Sequence, residues 1–440
     1  MDYISNTEPE KNEMLKEIGV DNILNLFSDV DKNLISKEQL KISTKLSEIE
    51  VRKKTEKISK KNKLMKNFLG AGCYNHFIPA VVDHIISRSE FYTAYTPYQP
   101  EISQGSLQSI FEFQTYICKL TGMDVANASM YDGSTALAEA VFMSHNITNK
   151  NKIILPKTIH PEYRKVVQTY CRMHNINCVE INYNNGIIDI ENLKNEIDDN
   201  TSAVIVQNPN FFGCIENMDE IEKITHENKS LLVTCIVEAA SLGISKSGNA
   251  DIVVGDGQSF GIPLNFGGPA FGFMAVKEEH TRKIPGRIVG ITNDTEGKKG
   301  FVLTLQAREQ HIRREKATSN ICTNQALMAL AATVYLSMLG KQLKTLANIN
   351  LQKAHYTFEK IKNIDNFAAP FTSPFFNEFV IKCNDIEKLI SKMQENNIVP
   401  GLDLGKYYPE LKNHLLVCIT EMHSKEDIDK LVEVLSNELD

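Results

Sequence analysis

A polar turn between an apolar stretch and a predicted helix is the first place where this sequence could bind a charged group. Residues 131–135 read Tyr-Asp-Gly-Ser-Thr and lead directly into the helix-forming run ALAEAVFMS. Gly133 lets a ligand approach the backbone closely, and Ser134, Thr135 and the helix N-terminus supply hydrogen-bond donors that suit a phosphate. The same turn is also typical of ordinary N-capping by Asp132. The sequence leaves both interpretations open, a phosphate site and a simple helix cap.

Polar side chains also follow two apolar runs that predict strands. Asn208 and Asn210 come directly after SAVIVQ, and Glu238 and Ser241 come after LLVTCI. Taken singly, each of these residues is more often part of a turn than a ligand. At successive strand ends of a parallel sheet, however, such groups hold a planar heterocyclic cofactor. Their order along the chain predicts the layout of a pyridoxal-phosphate enzyme with the aspartate-aminotransferase-like fold.

The nucleophile that this chemistry needs is missing. Pyridoxal-phosphate enzymes hold their cofactor as a Schiff base on a lysine, which we expect after the strand written here as DIVVG. No lysine occurs from Ser247 to Val276, and the expected position is Gln258. Glutamine cannot form a Schiff base, and Lys246 and Lys277 lie outside the loop. The sequence therefore combines the architecture of a covalent-cofactor enzyme with the absence of its nucleophile.

A loop rich in tyrosine, proline and glutamine, residues 92–105, has a composition that suits a binding surface. Its aromatic faces and hydrogen-bonding tips would line a pocket or cover a partner, and a purely structural loop rarely carries so many such groups. We call it the tyrosine loop. Its candidate lining residues are Tyr95, Tyr98, Gln99, Pro100, Glu101, Ser103 and Gln104.

Two other polar stretches have simpler interpretations. His76, in GAGCYNHFIP, has no second histidine at metal-ligand spacing, and a single histidine is more often packed in a core than catalytic. We keep His76 as a candidate residue of the active site and predict no metal site. The charged stretch from Arg308 to Lys316 is typical of surface ion pairs.

The elements that would position these residues follow from the hydrophobic pattern. From about residue 64, short β-branched runs alternate with amphipathic segments, which is typical of a parallel sheet covered by helices on both faces. The candidate strands begin at residues 152, 178, 202, 231 and 251. We predict an α/β fold with a helical N-terminal arm over residues 1–63, a large α/β domain over 64–323 and a small C-terminal α/β domain over 324–440.

Charge, hydrophobicity and cysteine content restrict the class of protein. The 440 residues include 48 Lys and Arg against 55 Asp and Glu, and the net charge of −7 argues against a nucleic-acid or anionic-membrane partner. No run of about 18 or more apolar residues predicts a membrane span. The stretch from Met1 to Glu13 is polar and acidic, unlike a secretion signal. The nine cysteines form no Cys-x-x-Cys pair, which favours a reduced, cytoplasmic setting.

Several long stretches of the chain resemble one family. They include GAGCYNHFIPAVV, FYTAYTPYQPEISQGSLQSIFEFQT, ASMYDGSTALAEA, QNPNFFGCIE, GDGQSFGIPLNFGGPAFGFMA and RREKATSNICTNQALMA. In these stretches the sequence is similar to the alpha, N-terminal subunits of glycine dehydrogenase (decarboxylating), the P-protein of the glycine cleavage system. The resemblance covers nearly the whole chain, and YTAYTPYQPEISQG is long and irregular enough to be specific.

The resemblance implies an explanation for the missing lysine. In this family the beta subunit carries the cofactor lysine in a His-Lys-Thr-Phe stretch, and residues 257–260, Gly-Gln-Ser-Phe, stand in the matching place here. Glu238 likewise stands where the cofactor-bearing half keeps an aspartate for the pyridine nitrogen. The chain would then lend the tyrosine loop and His76 to an active site on the beta subunit. Its own pocket would be a vestige formed by Asp132, Gly133, Ser134, Thr135, Asn208, Asn210, Glu238 and Ser241.

The resemblance also implies a reaction and partners. Glycine, joined to pyridoxal phosphate on the beta subunit, loses its carboxylate as CO2, and the aminomethyl group passes to the lipoyl arm of the H-protein, with the cofactor as electron sink. The implied assembly has two alpha and two beta subunits. Two alternatives stay open: a free-standing pyridoxal-phosphate lyase or transaminase that uses Lys246 or another lysine, and a catalytically silent scaffold for the beta subunit.

Overall fold

The structure is a computed structural model, and it describes residues 6–36, 38, 40–317 and 319–437. Its internal contacts divide the chain into two compact units, residues 1–63 and residues 64–440, which we describe separately. The further division of the second unit at residue 323 stays a prediction.

The first unit contains helices whose starts are set by local capping. Helix α1 (Glu8–Ile18) begins with a capping box, in which the Thr7 hydroxyl accepts from the Glu10 N–H and the Glu10 carboxylate accepts from the Thr7 N–H. Helix α2 (Glu48–Ser59) begins with the same arrangement at Ser47. No residue of either helix is buried. Both helices lie within the predicted N-terminal arm, whose extent over residues 1–63 stays a prediction.

The second unit is organised around a central, largely parallel sheet. The strands of the whole second unit are β1 (Lys66–Asn67), β2 (Val125–Ala126), β3 (Lys152–Pro156), β4 (Asn177–Ile181), β5 (Tyr183–Asn184), β6 (Ile187–Ile188), β7 (Thr201–Gln207), β8 (Leu231–Ile236), β9 (Ile252–Asp256), β10 (Gly272–Val276), β11 (Ile288–Asn293), β12 (Lys299–Thr304), β13 (Glu378–Lys382), β14 (Ile398–Val399), β15 (Leu402–Asp403) and β16 (His414–Cys418). The central sheet has the order β2-β10-β9-β8-β7-β3-β4. The five predicted strands are confirmed as the parallel set β9-β8-β7-β3-β4. Strand β10, which pairs antiparallel with β9, was not among the predicted strands, because its short apolar run begins at Gly272 and follows Gly267 and Gly268 closely.

Helices cover both faces of this sheet. They are α3 (Ala80–Ile86), α4 (Ser89–Tyr92), α5 (Gln104–Thr121), α6 (Gly133–Thr148), α7 (Pro161–Met173), α8 (Ile190–Glu196), α9 (Met218–Glu227), α10 (Gln310–Arg313), α11 (Ala326–Leu339), α12 (Leu343–Lys362), α13 (Ile386–Glu395) and α14 (Lys425–Ser436). Because strand side chains alternate, Ile154, Val204 and Val253 pack into one core with α5, α9 and α11. Ile153 and Ile205 pack into a second core with α6 and α7. The fold is therefore a three-layer α/β arrangement, as predicted.

The C-terminal part of this unit forms a smaller antiparallel sheet in the order β13-β16-β15. Helices α12, α13 and α14 pack with it in a third core, which also includes Phe68. Strand β1 pairs in parallel with β14. The chain that leads out of β1 therefore starts at this small C-terminal module before it reaches the central sheet.

One helical stretch in the described part of the chain, Ala326–Lys362, is long and apolar enough to cross a membrane by length and composition alone. It comprises α11 and α12, and half of its apolar window is buried inside the protein. Core helices of soluble proteins pass the same test, so this stretch is weak evidence for a membrane span. Its burial against the sheet agrees with a core helix.

Candidate functional site

Gln258, the residue at the position expected for the cofactor lysine, is buried and engaged with the backbone. It follows β9 at the carboxyl edge of the sheet. Its Oε1 accepts from the Tyr74 N–H at 2.8 Å, and its Nε2 donates to the Tyr74 and Ile262 carbonyls at 2.9 and 2.7 Å. A side-chain amide carries both a donor and an acceptor, so it can pair with the backbone N–H and the backbone C=O of one residue, which a lysine could not do. Gln258 therefore acts as a structural clamp on Tyr74.

Hydrogen-bond donors of the polar turn at the start of α6 are bonded to carboxylates of this chain. The Gly133 N–H donates to Asp256 Oδ2 at 3.1 Å. The Ser134 hydroxyl and the Thr135 N–H donate to Asp132 Oδ1 at 2.6 and 2.9 Å. Burial raises the pKa of Asp256 to about 6, and the N–H groups of Gln258 and Gly133, which donate to its two oxygens, oppose this rise. Asp132 therefore caps helix α6, which is the second of the two interpretations that the sequence left open.

Glu238 lies beside a histidine inside a buried ion triad. His76 Nε2 is 3.1 Å from Glu238 Oε2, and His76 Nδ1 is 2.9 Å from Glu421 Oε2. Burial by itself lowers the pKa of His76, but the two carboxylates outweigh this effect and raise the pKa to about 10. His76 is therefore protonated at neutral pH, and both of its ring nitrogens are used within this chain.

The backbone segment 70–77, here called the inner segment, crosses between the central sheet and the small C-terminal sheet. Glu378, at the start of β13, accepts from the Ala71 N–H at 2.7 Å and from the Tyr74 hydroxyl at 2.8 Å. On the other side, His160 Nε2 lies 2.9 Å from the Ala71 carbonyl oxygen. The inner segment therefore fills the space between Gln258 and these two polar side chains.

The two candidate asparagines after β7 belong to a different, buried turn. Asn208 Oδ1 accepts from the Glu216 N–H at 3.2 Å, and Asn210 Nδ2 donates to Glu216 Oε1 at 2.8 Å. Burial raises the pKa of Glu216 to about 7. Ser241 is buried in the turn after Glu238, and its hydroxyl has no hydrogen-bond partner among the residues that the structure describes. The asparagines thus hold a turn together, whereas Glu238 contacts the inner segment through His76.

The tyrosine loop contacts other elements and stays largely accessible. The candidate residues that are exposed are Tyr95, Tyr98, Gln99, Glu101 and Gln104. Pro100 begins a 3-10 turn (Pro100–Ile102), Ser103 follows it as the C-cap, and both residues are partly buried. Gln104 anchors the loop to β12, because its Nε2 donates to the Phe301 carbonyl at 2.9 Å and its Oε1 accepts from the Phe301 N–H at 2.9 Å. Most of the loop's polar groups therefore face outward.

The charged stretch from Arg308 to Lys316 differs from its prediction at its first two residues. Arg308 donates to the Gly286 carbonyl at 3.0 Å, and Glu309 is buried beside Arg287. The prediction of surface ion pairs is wrong for Arg308 and Glu309, because the chain folds back onto the segment that precedes β11. Both side chains then meet polar groups inside the protein.

The residues of this pocket do not fit pyridoxal phosphate. Gln258 offers no amine for a Schiff base, and the carboxylates of Asp132 and Asp256 already accept the donors that a phosphate would need. Space is missing as well, because even a Cβ on Gly133 would collide with the Tyr163 hydroxyl. The glutamate at the position for the ring nitrogen is paired with a histidine of this chain. The amine for the Schiff base is therefore absent, and the donors for a phosphate and the carboxylate for the ring nitrogen are already engaged within the chain.

Sequence reasoning missed the residues that close the pocket. Asp256 had a signal, since it is an acidic residue at the end of an apolar strand and lies two positions before Gln258. Glu378 and Glu421 had none, because 307 and 345 residues separate them from their partners in the inner segment. Only the packing of the C-terminal module against the large sheet brings them there.

The three-layer arrangement, with a largely parallel sheet between two layers of helices, is the architecture of the pyridoxal-phosphate-dependent enzymes of fold type I. The sphingosine-1-phosphate lyase of Burkholderia pseudomallei shares this fold, with a TM-score of 0.64 and 14% identity over 92% of both chains. A crystal structure of glycine decarboxylase (P-protein) of the glycine cleavage system, in inhibitor-bound form, matches with a TM-score of 0.90 and 38% identity over 100% of both chains.

The family follows from the sequence comparisons. This chain belongs to the glycine cleavage system P-protein family, whose model matches residues 1–435. The probable glycine dehydrogenase (decarboxylating) subunit 1 of a Geobacillus species is 53% identical over 99% of this chain and 98% of its own length. The protein of the same name from Desulfitobacterium hafniense is 52% identical over 98% of both. The predicted fold class and family are confirmed.

Replacing Glu378 by glutamine is expected to stabilise the chain at about pH 8 but not at about pH 5. Burial raises the pKa of Glu378 to about 7, whereas an unfolded glutamate titrates near about 4.3. Between these two pKa values the folded state holds a proton that the unfolded state has lost. The free energy of unfolding of the wild-type chain therefore falls as the pH rises from the lower pKa to the higher one. Glutamine does not ionise, so the variant should gain on the order of 1–3 kcal/mol at the higher pH.

Urea-unfolding midpoints at the two pH values measure this difference. The matched control is Glu395→Gln at an exposed position of α13, which should change neither midpoint. An equal gain of Glu378→Gln at both pH values would contradict the prediction, since it would show that ionisation is not the cause.

Proposed function

We propose that this chain is the alpha subunit of a heteromeric glycine decarboxylase and that it acts only together with a homologous beta subunit. The observation that carries the proposal is the closed pocket, in which Gln258 takes the place of the Schiff-base lysine and Asp256 accepts from the helix N-terminus. A family member of this kind can contribute to catalysis only by contact with a chain that holds the cofactor. The relatives named as subunit 1, which match over the full length, support this division of labour.

The proposed reaction of the two subunits is the decarboxylation of glycine, with release of CO2 and transfer of the aminomethyl group to the lipoyl arm of the H-protein. Pyridoxal phosphate, carried by the beta subunit, supplies the electron sink for this step. This chain contributes by enclosing the active site of the beta subunit and by positioning the groups that react there. We propose that the tyrosine loop lines the partner's active site or the channel for the lipoyl arm, since Tyr95 is 86% and Tyr98 49% exposed.

We further propose an assembly of two alpha and two beta subunits in the cytoplasm. Enzymes of fold type I commonly form their sites at a dimer interface, and a pseudo-symmetric pair of homologous chains would preserve that arrangement. The exposed aromatic loop supports a partner surface, and the cysteine pattern supports a reducing compartment.

Reconstitution with the beta subunit tests the proposal. The purified chain, the beta subunit and their mixture are assayed for exchange of labelled bicarbonate into glycine, and the chains are treated with borohydride in the presence of pyridoxal phosphate. We expect activity only in the mixture, co-purification of the two chains, and cofactor attached after reduction to a lysine of the beta subunit alone.

Two outcomes would overturn parts of this proposal. Stoichiometric attachment of the cofactor to one lysine of the pure chain would favour a free-standing pyridoxal-phosphate enzyme. Full exchange activity of the beta subunit without this chain would favour a silent scaffold.

A further inference from the structure

Arg287 is a buried arginine that contacts the tyrosine loop through Tyr98. It immediately precedes β11 and is 3% exposed. Its Nη2 donates to the Tyr98 hydroxyl oxygen at 3.2 Å, and its guanidinium carbon lies 5.5 Å from the centre of the Tyr98 ring. One buried cation therefore holds both the hydroxyl and the ring face of Tyr98.

The guanidinium group is fixed from its other edge by residues that lead into α11. Its Nη1 donates to the Thr323 hydroxyl at 3.0 Å and to Asn324 Oδ1 at 3.3 Å. Its Nε lies 3.8 Å from Glu309 Oε2, which balances the charge without a short hydrogen bond. A planar fork with bonds on two edges has a single orientation, so Arg287 is a rigid support and not a mobile surface charge.

The bond from Arg287 determines what the Tyr98 hydroxyl can do. A phenol oxygen that accepts from a guanidinium keeps its own proton for donation to another group. Tyr98 is 49% exposed, and the hydrogen bonds of the described residues include no acceptor for that proton. A hydroxyl donor that is supported by a buried cation suits an acceptor with negative charge.

We infer that Arg287 is a positioning residue, which holds Tyr98 as a hydrogen-bond donor to an anionic oxygen in the active site of the beta subunit. This inference rests on the proposed function. The anionic oxygen belongs either to the carboxylate of the amino-acid substrate or to the phosphate ester of the cofactor. Both have the same hydrogen-bonding chemistry, and the experiment below distinguishes them.

A double-variant cycle in the assembled alpha–beta enzyme tests the inference. Tyr98→Phe and Arg287→Gln should each lower the exchange activity roughly 5- to 150-fold. The double variant should fall no further than Tyr98→Phe alone, because Arg287 acts through the hydroxyl that phenylalanine lacks. Arg287→Lys keeps the charge without the fork and should recover part of the activity. Tyr170→Phe, a partly buried tyrosine of α7, is the matched control and should leave the activity unchanged.

The readouts separate the two acceptors. A raised KM for glycine with normal cofactor content indicates the substrate carboxylate, whereas cofactor lost from the complex during gel filtration indicates the phosphate. A fall in activity with neither change would overturn the inference, as would wild-type activity of Arg287→Gln or losses that multiply in the double variant.

Assembly and folding are checked by co-purification and thermal midpoint. If Arg287→Gln does not assemble, Thr323→Val replaces it, since this change removes one anchor of Nη1 and keeps the shape of the side chain. It should lower activity only when Tyr98 is present, and a loss of the same size in the Tyr98→Phe background would overturn the inference. An inactive wild-type pair would instead reject the proposed function itself.

Discussion

Replacement of His76 by leucine is expected to destabilise the folded chain by about 3–5 kcal/mol, since removal of one member of a buried ion group leaves charges without a partner. The imidazole is 2% exposed and lies 3.1 and 2.9 Å from carboxylates of Glu238 and Glu421. Leucine has a similar volume, so the expected loss comes from the two unpaired glutamates and not from a cavity. The measurement is the shift of the urea-unfolding midpoint.

The same variant predicts a particular dependence on pH. The pKa of His76 is about 10 in the folded chain and about 6.5 in an unfolded one. The stabilisation by the imidazolium is therefore fully present below the unfolded pKa, and it is lost as the pH rises towards the folded pKa. The difference in unfolding free energy between wild type and His76→Leu should shrink between about pH 6.5 and about pH 10.

Two controls make this result specific. His84→Leu, at an exposed position of α3, should leave the midpoint unchanged. Adding Glu421→Gln to His76→Leu should recover part of the loss, because one of the two unpaired charges is then removed while Oε1 can still accept from the Phe77 N–H. A pH-independent difference between wild type and His76→Leu would contradict the ion triad.

Replacement of Gln258 by leucine is the second change with a large expected effect. It leaves the Tyr74 N–H without its acceptor and the Tyr74 and Ile262 carbonyls without their donor, all in a buried position. Each buried polar group that loses its partner costs about 1–3 kcal/mol, so we expect a total loss on the order of 3 kcal/mol. Thermal and urea midpoints measure it, and Gln108→Leu on the exposed face of α5 is the control.

Gln258→Lys separates the clamp from a dormant catalytic role. Lysine restores an amine at the carboxyl edge of the sheet, but the inner segment and Asp256 occupy the space that the cofactor would need. We therefore expect no covalent attachment of pyridoxal phosphate to this chain after borohydride reduction, together with a lowered midpoint. Stoichiometric attachment at residue 258 would show that the pocket opens, and it would contradict the closed site described above.

The fold and the loss of the nucleophile could both be predicted from the sequence alone. Strands such as Thr201–Gln207 are buried on both faces of the sheet, so their consecutive residues are mostly apolar or β-branched, and this pattern is visible in the sequence. The absence of lysine around Gln258 is likewise a local fact. Capping at Thr7 and Asp132 depends on residues three positions apart, and both boxes are present in the structure.

The state of the pocket and the support of the tyrosine loop were decided by tertiary structure. The sequence could not distinguish a phosphate turn from a helix cap, because the competing carboxylate, Asp256, lies 123 residues from Gly133. The pairing of Tyr98 with Arg287 spans 189 residues. Hydrophobic periodicity is a property of residues that are close in the sequence, so it can be recognised without the tertiary structure. A buried hydrogen bond or ion pair between distant residues exists only after the layers have packed, so its partners carry no local pattern.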